Sequence, residues 1–362
     1  MLFRAKRLRK THGGFKKNMT YKITASERTS ASASEMETKA MLYLFCDDDE
    51  GKIHGFAIDF FNDVTGVDRN ALHLYDIQSK GNDAGPADLG REMVTLFKNY
   101  VSEFKDYFVE RILFVRRIRR SVINNKDLTK FQYADMDESA QQKLRKSLIN
   151  SCKEKTYVPN NAVTDTNIDS FLNKVDIVVS KKNGSDYIRP LIHTIKPLTV
   201  TEHDLSAIFN EIRKKQLGLK SFHKVEGIEI KSPSAAYTYG RVMQCSDIEL
   251  MILSRLINKN PITAGVPTPF IRIFNSFEPD CAKGIIRKCQ NALAKQMFTK
   301  REAQAFWNLF GMIVKIIKNN PNLEVEDIYQ KIDEKTLEAC QELDTLSHQY
   351  FIALVKERLE ND

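Results

Sequence analysis

The run Phe56 to Lys80, FAIDFFNDVTGVDRNALHLYDIQSK, decides how the rest of the chain is read. It divides into two extended arms joined by a polar turn, with Asp63 in the first arm and Gln78 and Lys80 near the end of the second. Side chains alternate across a strand, so Leu72, Leu74, Asp76, Gln78 and Lys80 share one face of the second arm, and His73, Tyr75, Ile77 and Ser79 the other. A carboxylate, an amide and an amine are thereby expected at one edge of a small sheet.

The 362 residues, 42% hydrophobic and 28% charged, suit a soluble globular chain of two domains or one domain with a large appendage. No apolar run is long enough to span a bilayer, so no membrane partner is expected. The formal charge of +8 is concentrated at the start: residues 1–28 hold nine Lys and Arg against the single acid Glu27, and the remainder has 46 basic and 46 acidic residues. This arm is read as a disordered tail, a DNA contact or a transit peptide. Beyond it, any nucleic-acid surface must come from local patches. Six cysteines without a CxxC pair suggest reduced, mostly buried thiols of a cytoplasmic protein.

Upstream of the central run, Ser34 and Glu37 have the spacing of a capping box opening a helix that carries Met36, Ala40, Leu42 and Leu44. Downstream, Leu89, Met93, Leu96, Phe97, Tyr100 and Phe104 predict an amphipathic helix over 88–104. A strand over 107–115 leads into RRIRR, where Arg116, Arg117, Arg119 and Arg120 are either a phosphate-contacting cluster or a solvated loop. Helices over 135–153 and 204–217, a strand over 175–179 and an alternating segment over 224–230, a candidate edge strand, complete this part. Breakers at Ser232, Pro233 and Ser234 place a boundary near 235. The expected domains are a basic arm (1–29), an α/β domain (30–235) and a mainly helical domain (236–362). The last includes helices over 280–297, 299–318 with a Thr299/Glu302 capping box, and 334–359. The wide apolar face of that final helix must pack on its own domain or on a partner.

Metal-assisted phosphodiester hydrolysis needs hard oxygen ligands, activated water and a cation beside the phosphate. Asp63 is a candidate ligand, Gln78 a weaker neutral one, Lys80 the candidate catalytic cation and Glu37 a further carboxylate. Asp59 rivals Asp63, and Asp76 lies deeper along the strand. The structural alternatives are a turn-capping Asp63, a solvated Lys80 and a Glu37 that only completes its capping box.

The order of a helix with Glu37, a strand-turn-strand with NDVTG and IQSK, then an amphipathic helix resembles the PD-(D/E)xK, or restriction-endonuclease-like, core in its QxK variant. It is similar in particular to the double-stranded DNA endonuclease domain of CD-NTase-associated effectors of CBASS anti-phage systems and to the nuclease subunit of Lamassu-type systems. The resemblance covers about residues 30–230. It implies an α/β fold with a mixed sheet flanked by helices, and a Mg²⁺- or Mn²⁺-dependent endonuclease acting on double-stranded DNA. Asp63, Gln78 and Glu37 would then be metal ligands, Lys80 catalytic, and the arginines DNA contacts. Activity would await a partner signal or self-assembly. The helix carrying Glu37 lacks the glycine and aromatic-glutamine opening common in the family. The helical remainder is unlike the nucleotide sensor of the CBASS relatives and is read as a unit for self-association and for docking on an SMC-like ATPase and a companion protein.

Overall fold

The computed structural model describes residues 19–24, 31–48, 50–123, 125, 127–192, 200–222, 224–298 and 303–360. The central run forms three strands rather than two: β2 (Gly55–Ile58), β3 (Val64–Val67) and β4 (Leu74–Ala84). What reads as one apolar arm turns back on itself at Asp59, whose φ of 49° lies in the left-handed region and whose N–H donates to the Asp63 carbonyl. Phe60 and Phe61 hide that turn from the sequence pattern because both are buried within it. Two-residue strand β1 (Tyr21–Lys22) precedes the run, and the remaining strands are β5 (Phe108–Ile118), β6 (Lys130–Gln132), β7 (Asp176–Val179), β8 (Glu229–Ile230) and β9 (Val242–Gln244).

Seven strands make one mixed sheet in the order β6-β7-β5-β4-β3-β2-β9. Strands β2, β3 and β4 form an antiparallel meander, and β4, β5 and β7 run parallel. Ile112, Leu113, Phe114 and Val115 are all fully buried, as a central parallel strand covered on both faces requires. On one face, Ile77, Ile112, Phe114 and Val178 pack with α1 (Ala31–Asp47), α6 (Gly184–Ile188) and α7 (Glu202–Phe222). On the other, Leu113, Val115, Ile177 and Val179 pack with α2 (Pro86–Glu92), α3 (Val94–Val101), α4 (Glu138–Glu154) and α5 (Asp165–Leu172). The mixed α/β class thus follows the sequence reading.

Several local expectations change. Helix α1 is already running at Ala31, so Ser34 and Glu37 form no capping box; the Ser34 carbonyl accepts from Thr38 Oγ1 and its hydroxyl from Arg213 Nε. The helix expected over 88–104 is two helices meeting at Met93. Segment 224–230 contributes only β8, which pairs with β1 apart from the main sheet. Residues 19–24 of the basic arm are not a free tail, because Tyr21 and Ile23 are buried and the Tyr21 hydroxyl donates to Asn99 Oδ1 at 2.7 Å. The rest of the 1–29 arm and the Thr299/Glu302 pair lie outside the described residues, save Met19 to Thr24.

Beyond the boundary expected at 235, β9 pairs with β2, so the sheet takes in later residues. The core on the α1 face continues through Ile248, Ile252, Leu293, Phe306 and Phe310 to Phe351. The helix expected over 334–359 is broken into Glu334–Glu338 and Thr345–Glu360, with Asp344 accepting from the Ser347 N–H and hydroxyl at the restart. Tyr350 to Val355 are buried on every side, which explains the wide apolar face: this helix is the centre of the helical region. Among the described residues all six cysteines are free thiols, and no helix is long and apolar enough to cross a membrane.

Candidate functional site

Strand β3 begins at Val64 opposite Ile77, so β4 continues past Ile77 without a strand on that side. The Asp63 carboxylate takes over the vacated edge. Its Oδ2 accepts from the Ser79 N–H at 2.8 Å, the Ser79 hydroxyl at 2.9 Å and Gln78 Nε2 at 2.9 Å. Among the described residues Asp63 Oδ1 and Gln78 Oε1 take no hydrogen bond, and both residues line a cleft of about 270 Å³. Asp59, Arg91 and Glu92 border the same cleft.

Glu37, on α1, meets this edge from the opposite side of the sheet. It is buried, and its Oε2 lies 2.5 Å from Nζ of Lys220 on α7. Burial and then the negative charge of Asp63 push the Glu37 carboxyl up to about 7, against the pull of Lys220. Burial also raises Asp63, with the Ser79 bonds and Lys220 opposing it. Burial raises both carboxyls, and the charge of Asp63 adds to the rise at Glu37, as for a buried acid with a negative neighbour.

Lys80 is paired with an acid on the border of this cleft. Its ammonium sits 2.8 Å from Oε1 of Glu92, on α2. Asp76 is fully buried and belongs to the core: Asn99 Nδ2 donates to it at 2.7 Å, and burial lifts its carboxyl to about 6. Asp59 pairs with Arg241 at 3.7 Å.

Arg116 and Arg117 extend β5 rather than lying in a loop, and Arg119 and Arg120 follow in the turn after it. All four line a separate recess together with Lys39, Lys181 and Lys182.

The structure therefore joins Asp63 to Gln78 by a hydrogen bond and brings Glu37 within electrostatic reach, while Lys80 is engaged by Glu92. Lys220 and Glu92 were not foreseen. Both arrive through helix packing, and neither stands at a spacing from the IQSK motif that would have marked it.

No family model, curated protein or solved structure matches the chain. The candidate site thus rests on its own chemistry. Among the described residues no group of three or more His, Cys, Asp or Glu is placed to hold a metal. The donors present are two carboxylates and an amide oxygen. Such a set suits Mg²⁺, which keeps several waters and takes one or two carboxylates together with phosphate oxygens.

Proposed function

We propose that the chain is a metal-dependent endonuclease cutting phosphodiester bonds of double-stranded DNA. We further propose that it serves as the effector subunit of a bacterial anti-phage system of the CBASS or Lamassu type, with a cytoplasmic place of action. The observation that carries this reading is the placement of Asp63, with Gln78 bonded to it and Glu37 raised by its charge, at the freed edge of β4. The order of elements around it supports the restriction-endonuclease-like assignment: a helix with Glu37, the β2-β3-β4 meander, helices α2 and α3, then a parallel strand.

Asp63 Oδ1, Gln78 Oε1 and Glu37 would hold the metal. When bound, Mg²⁺ or Mn²⁺ supplies Lewis-acid polarisation of the phosphate and a lowered pKa for its water. The chain's own residues do the rest. Ser79 fixes the Asp63 carboxylate through two hydrogen bonds to Oδ2, and Asp63 lines the cleft. Lys220 steadies Glu37. Lys80, released from Glu92 as phosphate enters, is the cation that offsets charge on the reacting group. Partner signals act on this reading by triggering assembly, with an SMC-like ATPase, a companion subunit and further copies of the chain as the proposed partners.

A second reading, a nuclease-fold module that binds DNA or assembles without cutting, is favoured by the ion pairs that occupy Lys80 and Glu37. Plasmid incubated with the chain in its assembled complex and Mg²⁺ or Mn²⁺ separates the two. The nuclease reading expects metal-dependent nicking that falls about a hundredfold in Lys80→Ala and is lost in Asp63→Asn. Equal cutting by the wild type and both variants removes the site assignment, and DNA binding without nicking selects the module.

A further inference from the structure

A cavity of about 640 Å³ opens beyond the C-terminal ends of the three parallel strands β4, β5 and β7, away from the Asp63 edge. Gly81 of β4, the β5 end and its following turn, the last residue of β7 with residues 180–183 after it, and the first part of α1 form its walls. Its lining is strongly one-signed. Arg116, Arg117, Arg119 and Arg120 come from the β5 side, and Lys39, Lys181 and Lys182 from α1 and the segment after β7. Among the described residues the only acid in the lining, Glu35, is held by Lys39 at 2.6 Å. The four arginines are exposed, Arg119 lying 3.9 Å from Asp88, and the cations facing the recess outnumber the acids beside them, which favours entry of an anion.

Charge alone would suit any phosphate. Two further features narrow the ligand. The volume falls within the range of small-molecule and cofactor sites, into which such ligands sink, whereas the phosphates of a duplex ride on a convex surface. The cavity also has apolar surface, from Ile118, Leu128 and Val179, between the basic arms. A sugar-phosphate backbone gives that surface nothing to cover; a flat ring does. The C-terminal edge of parallel strands is, moreover, where open α/β sheets place their ligands.

We propose that this cavity binds a free nucleoside polyphosphate, with the phosphates among the arginines and lysines and the base against Ile118, Leu128 and Val179. The site is built by the sheet and α1, not by the helical remainder. It shares no residue with Asp63, Gln78, Lys80 or Glu37, while its four arginines are those the nuclease resemblance would give to DNA.

The test is calorimetric titration of the full chain with ATP, inorganic pyrophosphate and a short blunt DNA duplex. The variants are Arg117→Ala/Arg120→Ala, Leu128→Asp and, outside the cavity, Lys52→Ala, each checked for an unchanged melting curve. Wild type and Lys52→Ala should bind ATP alike and more tightly than pyrophosphate. The double variant should weaken both ligands by about tenfold or more. Leu128→Asp should weaken both ligands, and ATP by the larger factor. Absence of ATP binding by the wild type, equal affinity for ATP and pyrophosphate, or ATP binding unchanged in the double variant overturns the proposal. So does duplex binding that the double variant loses and ATP does not compete, which would make the arginines DNA contacts.

Discussion

His348 shows how a single side chain can tie the helical region to pH. Its Nδ1 faces the Asp344 carbonyl oxygen at 3.0 Å, its ring packs on Tyr329 at 5.9 Å, and its buried Nε2 has no hydrogen-bond partner among the described residues. Burial holds the imidazole below its ordinary value, against the pull of Asp344. Because the folded pKa is depressed, the unfolded chain binds the proton first as pH falls below about 6.5, and the folded state loses stability there. The Asp344 carboxyl, drawn down to about 2 by Lys288 and Ser347, changes charge well below that window. Glu37 and Asp76, raised to about 7 and about 6, act in the opposite sense over this window, so the signature is a difference: the melting temperature of His348→Gln minus that of the wild type should rise as pH falls from 7.5 to 5.5. Parallel slopes in the two proteins would refute the assignment. At the same scale, the Asp63–Gln78 contact was legible in the sequence because strand alternation is local. Lys220 was not, because only the packing of α7 against α1 carries its ammonium to Glu37.

Between elements, the closest approach of α2 to α4 depends on Gly90. A Cβ there would meet the Leu144 carbonyl oxygen at 2.4 Å and the Leu148 nitrogen at 2.9 Å, both backbone atoms that cannot swing aside. Gly90→Ala should destabilise the protein by about 1–3 kcal/mol, an overpacking cost large enough to outweigh the helix propensity gained. Urea unfolding reads it, and a variant as stable as the wild type would show that the two helices separate freely. Since α2 also carries Glu92 to Lys80, the same substitution shifts an acid that engages the candidate catalytic lysine. The amphipathic spacing of Leu89, Met93, Leu96 and Phe97 announced helix here. It did not announce the partner, because a glycine at a helix crossing leaves no apolar period to read.

For the molecule as a whole, the periodicities gave the α/β class and most elements, while the division near 235 was drawn from breakers that turn out to precede a strand of the same sheet. Ser232, Pro233 and Ser234 mark a local turn; they carry no information on whether the next segment rejoins the layer. The final helix is the clearer case. Phe351 stacks on Phe306 with centroids 4.9 Å apart and lies 5.9 Å from Phe310, all three being buried. Removing residues 334–362 should expose this aromatic cluster and the core continuous with it, giving a chain that binds hydrophobic dye and aggregates. A truncated protein with a sharp, cooperative melt would contradict this.

The two outer strands of the main sheet, β6 and β9, are three residues each, and Lys130 on β6 is paired with Asp176 of its neighbour at 3.1 Å. Such short borders offer little template for an added strand and guard against edge-to-edge stacking of copies. Any ordered assembly of this chain must then be cemented through helix surfaces and side chains, and amyloid-like growth from the native sheet has almost nowhere to begin.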